Sequence, residues 1–211
     1  MERAWHAVTV IARVAIWCGG AMLFAAAAVV TAEVLLRKGL GYLVGTSFVF
    51  SGSDEISAYL FAVGTSWSMA HVLVTRGHVR IDALYGMLGP RMRGVLDLVA
   101  LAVLGLFVAV LLERAWSVAS TSLFEHIRSN TPLRIPLAVP QLMWLAGIVL
   151  FFVALVLAFL RALTAMLHGD LALAAATVGA PSMDEEIEGE LSGLGLGAER
   201  VRSAPSAATK G

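Results

Sequence analysis

Residues 135–160 read IPLAVPQLMWLAGIVLFFVALVLAFL and contain no Asp, Glu, Lys or Arg. An α-helix needs about 20 predominantly apolar residues to cross the hydrocarbon core of a membrane. The stretch meets that length, and its apolar residues do not alternate with polar ones as they would in a membrane β-strand. It therefore predicts a transmembrane helix, which we place near residues 139–163.

Three further stretches have the same character. Asp, Glu, Lys and Arg are absent from 14–32 and 56–75, and also from a shorter run at 98–112. The shorter run becomes long enough to span if Asp97 and Glu113, which flank it, lie at the headgroup boundaries. The sequence thus predicts an all-α integral membrane protein with four transmembrane helices, near residues 14–36, 55–76, 95–117 and 139–163.

The composition agrees with a membrane protein. Hydrophobic residues make up 59% of the 211 residues and charged residues 14%, with a mean hydropathy of +0.84. Soluble domains are about 45–50% apolar and about 25% charged. The net charge of zero predicts no nucleic-acid partner. The single cysteine, Cys18, can form neither an intramolecular disulfide nor a cysteine-based metal site.

The first span could instead be a cleaved signal peptide, since Arg3 and Arg13 precede it and four alanines follow at 25–28. Its apolar run is longer than the core of a signal peptide, which has about 7–15 residues. We therefore expect the span to be retained.

Basic residues indicate the orientation, because cytoplasmic loops of membrane proteins carry an excess of Lys and Arg. An N-terminus in the cytoplasm places a small majority of the basic residues near the spans on the inner side. The inner residues are Arg3, Arg13, Arg76, Arg80, Arg91, Arg93 and Arg161. The outer residues are Arg37, Lys38, Arg114, Arg128 and Arg134. With four spans, both termini are then predicted to be cytoplasmic.

The first outer connection, 39–54, is too apolar for a free loop and too short for a span. We expect it to lie against the membrane interface or a partner. At its end, Ser53 is predicted to cap the second helix. Asp54 and Glu55 then lie in the first turn, where the helix dipole favours carboxylates.

The inner connection and the second outer connection each contain regularly spaced residues that predict their local structure. Apolar residues recur at i, i+3, i+4 and i+7 in the inner connection, at Ile81, Leu84, Tyr85 and Leu88. They predict a short amphipathic helix on the cytoplasmic surface, between the second and third spans, that ends at Pro90. The second outer connection carries prolines at 132, 136 and 140. Because proline disfavours a helix interior, they predict an extended segment and a fourth span that begins near Pro140.

The chain divides into a membrane domain, 1–168, and a tail, 169–211. The tail contains the acidic run 184–190 and ends in small and polar residues. Such a composition cannot bury a core, so we expect a largely disordered cytoplasmic tail.

The spans contain few ionisable or reactive side chains. His71 is the one ionisable residue well inside a span, and two readings stay open: a neutral histidine packed between helices, or a role in proton or substrate handling. No second histidine lies at a matching depth to hold haem. Nucleotide-binding, metal-binding and nucleophile motifs are also absent from the sequence. We expect no enzymatic activity, no catalytic residue, no cofactor and no metal site.

Small residues recur at four-residue spacing, as in Ala15/Gly19 and Gly64/Ser68. Such pairs allow helices to pack closely within a membrane. Together with the lack of an active site, they favour a scaffold or accessory subunit.

Four pieces of sequence, taken in order, carry a family resemblance. They are the acidic Glu55 that opens span two, the joint GHVRID at 77–82, the turn LGPRMR at 88–93, and the segment SNTPLRIPLAVP at 129–140. Over roughly residues 10–165 the chain resembles the small membrane subunit, of DctQ type, of tripartite ATP-independent periplasmic (TRAP) transporters.

The resemblance implies a bacterial inner-membrane protein and several partners. These are a large multi-span subunit that carries the sodium and substrate sites, a periplasmic substrate-binding protein, and membrane lipids. The small subunit would support the large one and help to dock the binding protein during uptake of an organic acid or similar solute. The resemblance singles out residues for structural or partner-interface roles, namely Glu55, His78, Arg80, Asp82, Pro90, Arg91, Pro136 and Pro140.

Two alternatives are a stand-alone four-helix carrier and the membrane anchor of a redox enzyme. A carrier should show polar groups at the membrane midplane or interrupted helices. The sequence shows neither feature clearly.

Overall fold

The computed structural model describes residues 2–40, 52–77 and 89–170, with two further single positions at 173 and 177. Four long helices make up almost all of the described chain, and each is long and apolar enough to cross a membrane. They are α1 (Glu2–Leu35), α2 (Ser53–Val74), α3 (Pro90–Phe124) and α4 (Ala138–Leu167). A π-helical turn, Leu36–Leu40, continues α1. The predicted all-α membrane fold with four spans is confirmed.

Two helices are much longer than the predicted spans. α1 begins at Glu2 rather than near 14, and α3 runs from Pro90 to Phe124 rather than over 95–117. Apolar runs mark where a chain crosses the hydrocarbon core. Charged residues such as Arg13 and Glu113 are good helix formers, so the helices continue past the apolar runs.

The helices are arranged as a row in the order α1, α2, α4, α3, and α1 also touches α4. α4 lies in the middle of the row and buries the most residues. α3 packs on α4 through one stripe, which contains Leu101, Val108, Ala115 and Ala119. Its opposite face is exposed and apolar, as expected for contact with lipid or a partner.

Glycines set the close contacts between α1, α2 and α4. A Cβ atom added to Gly19 would lie 2.6 Å from the carbonyl oxygen of Gly64, and one added to Gly64 would lie 2.8 Å from the carbonyl oxygen of Gly19. A Cβ atom on Gly147 would likewise overlap Ser66 of α2. The close packing predicted from the small residues at 19 and 64 is therefore present.

One local prediction is wrong. Gly52, not Ser53, occupies the N-cap position of α2. Ser53 is the first helical residue, and its hydroxyl donates a hydrogen bond to Oε2 of Glu33 on α1. A contact between helices has replaced the local cap, because a carboxylate on α1 is a stronger acceptor for this hydroxyl.

Several predictions lie outside the described residues. They concern most of the outer segment 39–54, the joint residues His78, Arg80 and Asp82, the amphipathic helix at 81–88, and most of the tail.

Candidate functional site: a polar cluster at one end of the bundle

A buried carboxylate organises one end of the bundle, which we call the Glu55 end. Glu55 lies in the first turn of α2 and is only 7% exposed. Tyr59, one turn further along α2, donates its hydroxyl to Oε1 at 2.8 Å. Thr131, from the loop between α3 and α4, donates its hydroxyl to Oε2. A buried carboxylate requires such donors, because removing it from water is otherwise costly.

The loop between α3 and α4 folds back on itself as a small hairpin. Ser129 donates its backbone N–H to the carbonyl of Ile135 at 2.9 Å, and Leu137 donates to Ile127 at 3.0 Å. An isolated antiparallel bridge joins Arg128 and Pro136 between these bonds. The predicted extended segment is therefore extended only locally, because it pairs with the preceding residues before α4 begins.

Hydroxyl groups connect the hairpin to Glu55. Ser129 is 8% exposed, and its Oγ lies 2.6 Å from Oγ1 of Thr131. The same oxygen accepts the backbone N–H of Thr131 at 3.2 Å. Ser129 thus holds Thr131 in the position from which it donates to Glu55. The hairpin is tied to α2 by side chains 76 positions apart in sequence.

Two further contacts close the same end. The bond from Ser53 to Glu33 joins the start of α2 to the end of α1. The side chain of Leu133, at the tip of the hairpin, lies directly against Gly52. A side chain on residue 52 would displace Leu133. The cluster therefore joins α1, α2 and the hairpin into one layer.

The predicted site residues fall into separate places. Glu55 lies in the cluster, Pro136 is exposed in the hairpin, and Pro140 lies in the first turn of α4. Pro90 is the first residue of α3 and follows Gly89, whose backbone is extended. Arg91 is exposed, at the opposite end of the bundle from Glu55. The structure brings Glu55 close to the 129–140 segment and leaves the residues at 90 and 91 apart from both.

Sequence reasoning missed the residues that complete the cluster. Tyr59 could have been noticed, because it lies four residues after Glu55 and so shares its helix face. Ser129 and Thr131 lie in the segment 129–140 that carries the family resemblance, but nothing in their spacing indicates a contact with Glu55. Their hydroxyl groups are common in loops, and only the hairpin brings them to the carboxylate.

The opposite end, which we call the Arg161 end, carries a smaller ionic contact. Nη2 of Arg161 on α4 lies 3.4 Å from Oε2 of Glu2, and the guanidinium lies 5.2 Å from the ring centroid of Trp5. The Arg161 side chain is 17% exposed, whereas that of Glu2 is 76% exposed. Nε of Arg161 is buried and makes no hydrogen bond with any described residue. This contact joins the start of α1 to the end of α4.

His71 is half-buried, and its Nδ1 is buried without a hydrogen-bond partner. Trp67, one turn earlier on α2, donates its indole N–H to the carbonyl of Met143 at 2.9 Å and so joins α2 to α4. Over the described residues, no group of three His, Cys, Asp or Glu side chains could hold a metal ion. The polar groups found here can stabilise the fold and present surfaces.

Comparison with known proteins identifies the family. The family described as "Tripartite ATP-independent periplasmic transporters, DctQ component" matches residues 26–165, which is about two thirds of the chain. The match includes Glu55, the hairpin, all of α2 and α3, nearly all of α4, and the C-terminal part of α1. No curated protein and no solved structure matches the chain. The chain belongs to the DctQ family, the small membrane component of TRAP transporters.

Proposed function

We propose that this TRAP transporter component is a static support subunit that carries no substrate itself. Its family is a family of transporter components rather than enzymes, and it works with the large DctM subunit and a periplasmic binding protein. In this proposal the complex couples sodium entry to uptake of a small organic acid or similar solute. The large subunit holds the sodium and substrate sites, and this chain widens the membrane anchor in the bacterial inner membrane.

The distribution of charge carries the proposal. In the runs 14–32, 56–75, 98–112 and 135–160, His71 is the one residue among Asp, Glu, Lys, Arg and His. The helices in these runs are continuous. Transporters bind ions and charged substrates with polar groups or interrupted helices near the midplane. A chain with continuous helices and charges at their ends is better suited to support than to transport.

The hairpin is the proposed docking surface for the binding protein. It lies at the end that faces the periplasm if both termini are cytoplasmic, the orientation that the basic residues favour. Hydrogen bonds to Glu55 fix its backbone, so little conformational entropy would be lost when a partner binds. Arg128, Arg134 and Pro136 are exposed on it. They offer two positive charges and an apolar ring to a partner.

The joint between α2 and α3 is proposed to hold the large subunit or lipid headgroups. Its residues His78, Arg80 and Asp82 follow Gly77 in the motif that the family resemblance singles out. Pro90 and Arg91 open α3 at the same end of the bundle. The tail, 169–211, is proposed to be a separate segment that complex assembly does not require.

Reconstitution tests the support role. Vesicles containing the chain, the large subunit and a sodium gradient should take up the cognate solute when the binding protein is added. Vesicles with this chain alone should show no uptake above protein-free vesicles, because the chain contains no transport site. Sodium-dependent uptake by the chain alone would reject the support role.

The joint is tested within the same complex. In this proposal Arg80 and Asp82 form ion pairs with the large subunit, so Arg80→Ala and Asp82→Ala should reduce the yield of the complex. A buried ion pair broken on one side costs about 3–5 kcal/mol, against about 0–1 kcal/mol for an exposed pair. Uptake per assembled complex should keep its sodium dependence. Normal assembly with a changed apparent sodium affinity would place the joint in the transport mechanism instead.

A further inference from the structure

An apolar groove runs along α2 between α1 and α4. It has a volume of about 400 Å³ and is walled by Val10 and Val14 of α1 and by Ala146 and Leu150 of α4. Trp67 of α2 forms part of its floor. A smaller apolar cavity of about 220 Å³ lies nearer the Glu55 end. Nearly all of the lining is hydrocarbon, so the groove suits an apolar occupant.

Cationic side chains lie beyond both walls of the groove, toward the Arg161 end. Arg3 precedes Val10 by two helical turns, and so lies on the same face of α1. Arg161 follows Leu150 by three turns, and so lies on the same face of α4. Two guanidinium groups therefore follow the apolar walls toward the membrane surface.

Arg161 keeps part of its side chain accessible, with 17% of it exposed. Its ionic partner, Glu2, is mostly exposed, so water weakens that contact. A phosphate can accept two parallel hydrogen bonds from one guanidinium. Arg3 and Arg161 together outweigh the single charge of Glu2, which leaves this end of the groove positive.

We infer that the groove binds an anionic phospholipid, with the phosphate at Arg161 and Arg3 and one acyl chain between α1 and α4. The apolar walls suit an acyl chain, and the guanidinium groups beyond them suit its phosphate. The lipid belongs to the leaflet on the side of the N-terminus, which is the cytoplasmic leaflet in the orientation proposed above.

Lipid binding to the purified full-length chain tests the inference. The chain is held in a non-ionic detergent and titrated with phosphatidylglycerol, with phosphatidylcholine of the same acyl chains, and with inorganic phosphate. Native mass spectrometry counts bound lipid and gives apparent Kd values. Phosphatidylglycerol should bind at least about tenfold more tightly than phosphatidylcholine. Inorganic phosphate should not compete, because it lacks the acyl chain.

Two pairs of variants locate the site. Arg161→Gln should weaken phosphatidylglycerol binding about tenfold, while Arg114→Gln, which removes an exposed charge on α3, should leave it unchanged. Ala146→Phe should fill the groove and abolish tight binding. Ala102→Phe, at an exposed position on α3, is its control. Far-UV circular dichroism confirms that each variant keeps its helices.

Three results of the binding assay would overturn the inference. They are equal affinity for the two lipids, competition by inorganic phosphate, and unchanged binding in both Arg161→Gln and Ala146→Phe. Loss of the large subunit from Ala146→Phe with lipid binding intact would make the groove a protein interface and would also overturn it. The binding assay involves no transport, so its outcome is independent of the support role.

Discussion

In the middle of the bundle, α1 and α2 meet where Gly19 faces Gly64 with no side chain between the two backbones. At the Glu55 end the same two helices are joined by the hydroxyl of Ser53 and the carboxylate of Glu33. The first contact depends on the absence of atoms, and the second on specific polar atoms. The middle lies within hydrocarbon, where close packing drives helix association. The end lies nearer water, where hydrogen-bonded groups can also join a loop to the helices.

The largest loss of stability should follow from adding a side chain at the contact between α1 and α2 in the middle of the bundle. In Gly19→Leu, the new Cβ would lie 2.6 Å from the backbone oxygen of Gly64. A backbone atom cannot move aside as a side chain can, so α1 and α2 must separate. Overpacking of this kind costs about 1–3 kcal/mol or more. Unfolding in mixed micelles, followed by circular dichroism during an SDS titration, measures the loss of stability.

Gly20 provides a matched control, since a Cβ atom there meets nothing within 4 Å. Gly20→Leu should keep or slightly raise stability, because leucine favours a helix more than glycine does. Equal losses at positions 19 and 20 would show that the α1–α2 contact does not depend on close approach.

A smaller effect, limited to the hairpin, should follow from removing the carboxylate of Glu55, which accepts the hydrogen bonds at that end. Glu55→Ala leaves the hydroxyl groups of Tyr59 and Thr131 without their carboxylate. The hairpin should open more often, and trypsin should cleave at Arg128 and Arg134 about tenfold faster. The helices should stay packed, because the contacts in the middle are untouched.

Asp54→Ala is the control for this variant. Asp54 lies beside Glu55 in the same helical turn but is exposed. Its loss should leave the cleavage rate unchanged. Cleavage that rises equally in both variants would mean that the charge of the first turn, rather than the buried cluster, holds the hairpin.

The smallest effect is expected at the Arg161 end. Trp5→Leu removes the aromatic ring under Arg161, a contact worth about 0.5–1 kcal/mol at a partly exposed site. Trp17→Leu, which changes a ring that is 78% exposed, should have less effect in the same SDS titration. If Trp5→Leu lost more stability than Gly19→Leu, the contacts at the ends of the bundle would contribute more to stability than those in the middle.

These regions also differ in how well the sequence predicts them. The four spans follow from runs such as 135–160, because an apolar run of this length without charged residues is typical of a transmembrane helix. The close contact of α1 with α2 was foreseeable from the small residues near 19 and 64, although the sequence does not say which helix each would meet. The sequence places the start of α1 and both ends of α3 too far inward, since hydropathy does not register helical turns outside the hydrocarbon core.

The Glu55 cluster was only partly predictable. Glu55 stood out as an acidic residue that opens a span, but its partners come from a loop far along the chain. Ser53 was assigned to a local cap because serine often caps helices. The structure uses its hydroxyl for Glu33 instead. Local patterns could not reveal either bond, because each depends on the arrangement of the helices.

The central position of α4 has a consequence for how the protein is made. α1 and α2 can pack on each other as soon as both have left the ribosome. α3 packs chiefly on α4, so it enters the membrane before its partner has been synthesised. Until α4 arrives, the stripe of α3 around Val108 faces lipid or the insertion machinery. The last helix to be translated therefore completes the bundle, and a nascent chain that stops before 138 would leave α3 without its main contact.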